Sequence, residues 1–132
     1  MNPFDLSNKV ICVTGASSGI GRQCAVSCSR MGATVVLLAR NEQRLHETLS
    51  IMDNPDKHVI ITVELTEYAT VELVVKNIVS QVGRTSGVLH CAGISTTLPL
   101  KLVTPEKLAE FFQANVFSAY NLTREVCKMG NF

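Results

Sequence analysis

The residues with the strongest chemical implication form the run Thr14-Gly15-Ala16-Ser17-Ser18-Gly19-Ile20-Gly21, in which three of eight positions carry no side chain. Glycine at this density permits a tight turn and a close approach of backbone to a ligand. The spacing G-x-x-x-G-x-G is not the commoner G-x-G-x-x-G of dinucleotide loops. Nor is it a Walker loop, which needs Gly-Lys-Ser/Thr. An apolar run precedes it and helical sequence follows, so the loop is predicted to open a helix whose free N–H groups and positive dipole end attract phosphate. Ser17 and Ser18 add hydroxyl donors. A plain glycine-rich turn is the bland alternative. Arg22, just past the loop, reads either as a further phosphate contact or as a solvated first-turn arginine.

The other reactive residue types point less far. Cys12, Cys24, Cys28, Cys91 and Cys127 make an odd count inside apolar segments, which predicts reduced, buried thiols. Cys24 and Cys28 stand four apart on helical sequence, but no second Cys or His pair completes a metal site. His90 and Cys91 suggest a base beside a nucleophile. Neighbours on a strand point to opposite faces, so they form no dyad.

Behind these residues stands ordinary globular composition: 132 residues, 46% hydrophobic and 17% charged, enough for one modest domain with a core. Twelve basic against eleven acidic side chains leave a net charge of +1 with no clustering. No footprint for nucleic acid or an anionic membrane surface results. The start MNPFDLSNK has no basic region followed by an apolar run, and no apolar stretch reaches membrane-span length. A soluble, cytoplasmic chain is the expectation.

The elements that must position the glycine loop follow from periodicity. Strands are predicted over Lys9 to Gly15, Thr34 to Arg40, His58 to Leu65 and Gly87 to Gly93, all short apolar runs. Between them, helical sequence runs from Ile20 to Met31 with Ile20, Cys24, Ala25, Cys28 and Met31 on one stripe, and Gly32 ends it. A second helix spans Asn41 to Met52, with Leu45, Leu49 and Met52 facing inward. A third runs from about Glu67 to Val82. Thr104 reads as an N-cap with Pro105 at the first helical position, opening helical sequence to about Met129 with a break near Asn115. This β-α alternation predicts a doubly wound α/β fold with a parallel sheet. Flavodoxin-like and methyltransferase folds share the alternation, so the glycines have to discriminate.

The loop resembles the T-G-x-x-x-G-I-G motif of the short-chain dehydrogenases/reductases, the 3-oxoacyl-carrier-protein reductases among them, and matches it in full. The likeness extends along all 132 residues. His90-Cys91-Ala92-Gly93 stands where that family has N-N-A-G, and Ala114 to Tyr120 looks like its N-V segment. Cys91 replaces an asparagine and Glu64 an aspartate of the family pattern. The resemblance implies a Rossmann-type sheet in the order 3-2-1-4, and a cofactor site at Gly15, Ser17, Ser18, Gly19, Ile20, Gly21, Arg40, Glu64, Leu65, Cys91, Ala92 and Gly93. An acidic residue after the second strand would bind the ribose hydroxyls of NAD. Here Ala39-Arg40 stands, and a guanidinium suits a 2′-phosphate with no carboxylate at that spot to repel it. NADP(H) is therefore the expected cofactor, a surface arginine the alternative.

Reduction of a carbonyl by hydride transfer also needs a proton donor of tuned pKa. In the family this is a tyrosine with a lysine four residues on, aided by a serine. Tyr68 and Tyr120 are the two tyrosines, and neither precedes a lysine at that spacing. Tyr120 and Arg124 read as an ordinary helical-face contact. Asn115 is the one catalytic residue the resemblance carries over, as a helix-kinking member of the proton relay. The expectation is the N-terminal part of a single-domain dehydrogenase/reductase, residues 1–132, truncated after its fourth β-α unit and inactive by itself. Its whole form would act on a small-molecule or acyl-carrier-bound 3-oxoacyl carbonyl and assemble as a homo-oligomer. A truncated, non-catalytic module binding a nucleotide or a partner is the alternative, with an open strand edge at Val88 to Ala92 as interface. A methyltransferase-like enzyme is the third reading, which Arg40 disfavours.

Overall fold

Alternate residues of the two central strands go to opposite faces. β1 (Val10–Thr14) sends Val10 and Cys12 to one side and Val13 to the other, while β2 (Thr34–Ala39) divides into Val36 and Leu38 against Val35 and Leu37. All of them are buried, so both faces of the sheet must be covered. That is why these strands read as unbroken apolar runs.

The computed structural model describes residues 1–132. β3 (Val59–Thr62) and β4 (Gly87–Leu89) complete a parallel sheet in the order β3-β2-β1-β4. Val10 stands opposite Thr34, Val36 opposite Val59, and Ile11 opposite Gly87. The helices are α1 (Gly19–Arg30), α2 (Glu42–Ser50), α3 (Tyr68–Val82), α4 (Pro105–Phe112) and α5 (Ser118–Val126). Ala25, Val26 and Leu45 of α1 and α2 pack on the Val13 side. On the Cys12 side, Val71, Val75 and Ile78 of α3 join Leu122 and Val126 of α5. The predicted doubly wound α/β fold is therefore the observed one, and no helix is long and apolar enough to cross a membrane.

Helix starts follow the sequence closely. Thr104 Oγ1 accepts the Lys107 amide at 3.1 Å with Pro105 leading α4, and Asn41 Oδ1 accepts the Arg44 amide at 3.0 Å. The break expected near Asn115 is a π-helical turn over Gln113–Phe117 that separates α4 from α5.

Three details differ from expectation. The inward face of α1 is Gly21, Ala25, Val26 and Ser29, while Ile20 is 76% exposed and Met31 also lies at the surface. The helix is rolled so that Gly21, not a larger residue, meets the strand behind it. β4 ends at Leu89 rather than Gly93, because the next amides, of Cys91 and Ala92, turn to the Thr14 hydroxyl instead of a ladder. β3 stops at Thr62, although Val63 still donates to the Ala39 carbonyl at 2.9 Å and Leu65 remains buried.

His58, ahead of β3, is a buried polar member of this frame at 8% exposure. The Val35 amide donates to its Nδ1 at 3.0 Å, which leaves the proton on Nε2 to be donated to the Asp53 carbonyl at 2.7 Å. Burial pushes its pKa below the ordinary 6.5, and protonation would set a second donor against the Val35 N–H. With the folded value below the unfolded one, the stabilisation is present above about pH 6.5 and is lost as pH falls through the folded value. His58→Leu is expected to cost about 1–3 kcal/mol at pH 7.5 by orphaning that amide. Urea denaturation at pH 7.5 and 5.5 should also show a smaller loss on acidification in the variant than in the natural chain.

Candidate functional site

The three glycines of the loop after β1 have three different surroundings. Gly15 has φ +63, and a Cβ there would lie 2.8 Å from the Ala92 amide nitrogen. At Gly21 a Cβ would run into the carbonyl of Gly15 and stand 3.0 Å from that of Thr14. Gly19 has φ +55 and nothing within 4 Å of its missing side chain. Gly15 and Gly21 thus make room for the protein's own backbone, and Gly19 leaves space open.

The loop after β4 is held against this turn from two sides. Thr14 Oγ1 accepts the amides of Cys91 and Ala92, both at 3.0 Å. From the π turn, Asn115 Oδ1 accepts the Ile94 amide at 2.7 Å and its Nδ2 donates to the Ile94 carbonyl at 2.8 Å. Asn115 is neither a local backbone partner nor a wall residue; it ties together segments 21 positions apart. Its neighbours Ala114 and Ser118 face the open space instead.

That space is a cleft of about 980 Å³ at the C-terminal ends of the strands. Gly15, Ser17, Ser18, Gly19, Ile20 and Gly21 line it from the first loop, Arg40 from the end of β2, Glu64 and Leu65 from beyond β3, and Cys91, Ala92 and Gly93 from beyond β4. Every residue expected from the strand ends and the glycine loop therefore meets in one place. Leu38, Ala39, Asn41, Glu42, Arg44, Val63, Thr66 and Ile94 complete the wall and were not foreseen as site residues. Position was their only signal: all but Arg44 lie within two residues of an expected one, and Arg44 stands in the first turn of α2. The first turn of α1 opens into the cleft with no side-chain cap and no acidic residue, so its unpaired amides keep their attraction for an anion.

Two arginines divide their roles. The Arg22 guanidinium does not line the cleft: it donates to the Ser17 carbonyl at 2.6 Å and to Thr48 Oγ1 at 2.9 Å. It also lies 3.4 Å from Glu47. Thr48, fully buried on α2, passes the connection on by donating to the Ala16 carbonyl at 2.8 Å. Arg22 thus braces the loop from behind. Arg40, by contrast, is 74% exposed at the cleft wall. A carboxylate does stand beside it, contrary to expectation from β2 alone, because Glu64 Oε2 approaches to 3.5 Å from the end of the neighbouring β3.

Of the five cysteines expected to be buried, only Cys12 is fully so; Cys24, Cys28 and Cys91 are half-buried, and Cys127 is exposed because it caps the surface end of α5. Cys91 lies on the α1 side with Cys24 and Cys28, and burial raises the pKa of Cys91 and Cys28; it takes the Cys12 thiol to about 11. His90 faces the other way and hydrogen-bonds Thr123 Oγ1 at 2.8 Å. The two neighbours therefore serve opposite sides, as alternation requires.

A cleft at the C-terminal ends of parallel strands, where the order reverses between β1 and β4, defines the doubly wound class with the geometry of dinucleotide binders. Within it, residues 9–130 match the family model described as short chain dehydrogenase, and the chain belongs to that family of oxidoreductases, which bind nicotinamide cofactors. It is 34% identical over 125 residues to the uncharacterized oxidoreductase YciK of Escherichia coli K12, covering 90% of this chain and 49% of that protein. Similarity to 3-dehydrosphinganine reductase of Danio rerio is 28% over 130 residues, 94% of this chain and 39% of the other. A solved short chain dehydrogenase of Salmonella enterica serovar Typhi superposes with TM-score 0.85 at 34% identity, over 96% of this chain and 55% of that one. The chain thus spans about half the length of the relatives it matches.

The glycine geometry separates fold from ligand experimentally. Gly21→Ala is expected to cost about 3 kcal/mol or more, since a backbone carbonyl cannot yield. Gly19→Ala should cost only about 1–2 kcal/mol of left-handed strain and keep the fold. Chemical denaturation of both variants checks this; equal, small losses would contradict the packing role.

Proposed function

We propose that this chain supplies the cofactor-binding part of an NADP(H)-dependent reductase acting on a 3-oxoacyl-type carbonyl. The observation that carries the cofactor choice is Arg40, exposed on the cleft wall directly after β2, at the place where an acidic residue would bind ribose hydroxyls; the nearby carboxylates, Glu64 and Glu42, come from beyond β3 and from the start of α2. In this reading the open first turn of α1, with Ser17, Ser18, Gly19, Ile20 and Gly21, holds the bridging phosphates. Arg40 pairs with the 2′-phosphate. Glu64 and Leu65 border the adenine end, while Cys91, Ala92 and Gly93 line the side toward the reacting end.

The fit rests on a cradle that side chains would fill. Gly19 has empty space where a Cβ would stand, and Gly15 and Gly21 let the loop lie flat against β1 and the Cys91–Ala92 backbone. The dinucleotide, when bound, supplies the hydride. Asn115 keeps Ile94, and with it the Cys91 to Gly93 wall, in place. Carbonyl reduction is supported by relatives named 3-dehydrosphinganine reductase and L-xylulose reductase.

A proton donor of the family's kind is not among these residues, because neither Tyr68 nor Tyr120 is followed by lysine at the fourth position. The proposal therefore requires a serine and a Tyr-x-x-x-Lys motif from coding sequence beyond Phe132. Exposed Leu108, Phe112, Phe117 and Tyr120 favour two further elements of the reading, association between copies and, as the second functional reading, a binding module without chemistry. Reading the transcript past Phe132 separates reductase from module: the motif within a few dozen codons supports the first, an immediate stop the second.

The cofactor choice is tested by thermal shift. NADPH should stabilise the chain more than NADH, a preference of about 1.5–3 kcal/mol for a charge-assisted contact. Arg40→Ala should erase it and Arg40→Lys should keep part of it. Equal stabilisation of the natural chain by both would refute NADP(H).

A further inference from the structure

We infer that Glu64 competes with the cofactor for Arg40, and so sets how strongly the cleft prefers a 2′-phosphorylated dinucleotide over an unphosphorylated one. The inference rests on the proposed cofactor reading and adds a specificity residue that follows a different strand from the one the arginine follows.

The geometry is asymmetric. Glu64 is held: Thr66 Oγ1 donates to its Oε1 at 2.9 Å and the Thr66 amide lies at 3.4 Å from the same atom. Its other oxygen, Oε2, is thereby turned toward Arg40 Nη1 at 3.5 Å. The glutamate side chain is 35% exposed and the arginine 74%, so a carboxylate held by Thr66 faces a solvent-exposed cation. Both residues also border a shallow hollow of about 280 Å³ with Thr62 and Val63, adjoining the main cleft. Glu64 is the one polar partner the structure gives Arg40.

Charge decides the consequence. A 2′-phosphate can use Arg40 only by drawing it from Glu64 or by sharing it, and in either case an anion comes to rest near a carboxylate that Thr66 keeps in place. A 2′-hydroxyl carries no charge and meets a pair that is already neutral. Glu64 thus lowers affinity for the phosphorylated form selectively. Because the pair is substantially exposed, the effect belongs to the modest range of surface ion pairs and weakens with salt.

The test is binding, measured by calorimetric titration of the full chain with NADPH and NADH at 50 and 500 mM salt (about 14 and 4 Å of screening length). Glu64→Gln keeps the side-chain shape and an acceptor for Thr66. It is expected to raise the ratio of NADPH to NADH affinity roughly two- to fivefold, with the gain reduced at high salt, while any change at the shared adenine end moves both dinucleotides together and leaves the ratio alone. In an Arg40→Ala background the same substitution should give a clearly smaller gain. Glu64→Ser, which removes the charge with a shorter side chain, should act in the same direction and guards against a folding artefact of the amide. A natural chain with no preference for NADPH would sink the cofactor reading itself. If the natural chain prefers NADPH and Arg40→Ala abolishes that preference, yet neither Glu64 variant raises it, the cofactor reading stands and the competition is overturned. Equal gains with and without Arg40 would likewise overturn competition, leaving only direct repulsion.

Discussion

The close approach of α1 to the turn after β1 is the constraint on which the rest depends. Gly21 lies against the carbonyls of Gly15 and Thr14, at a distance no side chain permits. This contact rolls α1 so that Ala25, Val26 and Ser29 face the sheet and Ile20 faces the cleft. It also brings the first turn of the helix over the ends of the strands. Gly15 performs the matching service on the other side, admitting the Ala92 backbone, and Thr14 fastens that backbone with its hydroxyl. A larger residue at either glycine would separate the walls before any ligand arrived.

Around this contact, polar side chains do the work of fixing loops rather than of chemistry. Arg22 and Thr48 connect the glycine loop to α2, Asn115 connects the π turn to Ile94, and His58 connects β2 to the turn at Asp53. Each satisfies backbone groups that the sheet and helices leave over, as buried polar groups must. A cleft bounded by such ties is preorganised, since its walls owe their positions to the fold and not to what they hold. The electrostatic features left facing the opening are the bare helix start, the Arg40–Glu64 pair, and Glu42 and Arg44 from the first turn of α2.

Much of this was legible beforehand. Strand and helix order, the cap at Thr104, the turn at Gly32 and the interruption near Asn115 all depend on local composition, which acts over a few residues. The same holds for the glycine spacing that marks the family. What was misread involved partners distant along the chain. The stripe assigned to α1 followed hydrophobicity, whereas the buried face was chosen by Gly21, the smallest residue. β4 was drawn too long because nothing in Gly87 to Gly93 shows that Thr14 would take its last amides.

By itself, therefore, the sequence determined a parallel α/β chain with a glycine-rich loop opening its first helix, because periodicity, capping and glycine content are local properties. The tertiary structure decided which glycines serve the backbone and which leave open space, that Arg22 turns inward, and that Arg40 meets Glu64 from the neighbouring strand. Those outcomes depend on distances between segments tens of residues apart, set when β1, β2, β3 and β4 align in one sheet. Charge and spacing along a chain do not encode such distances one residue at a time; packing imposes them on all the strand ends together.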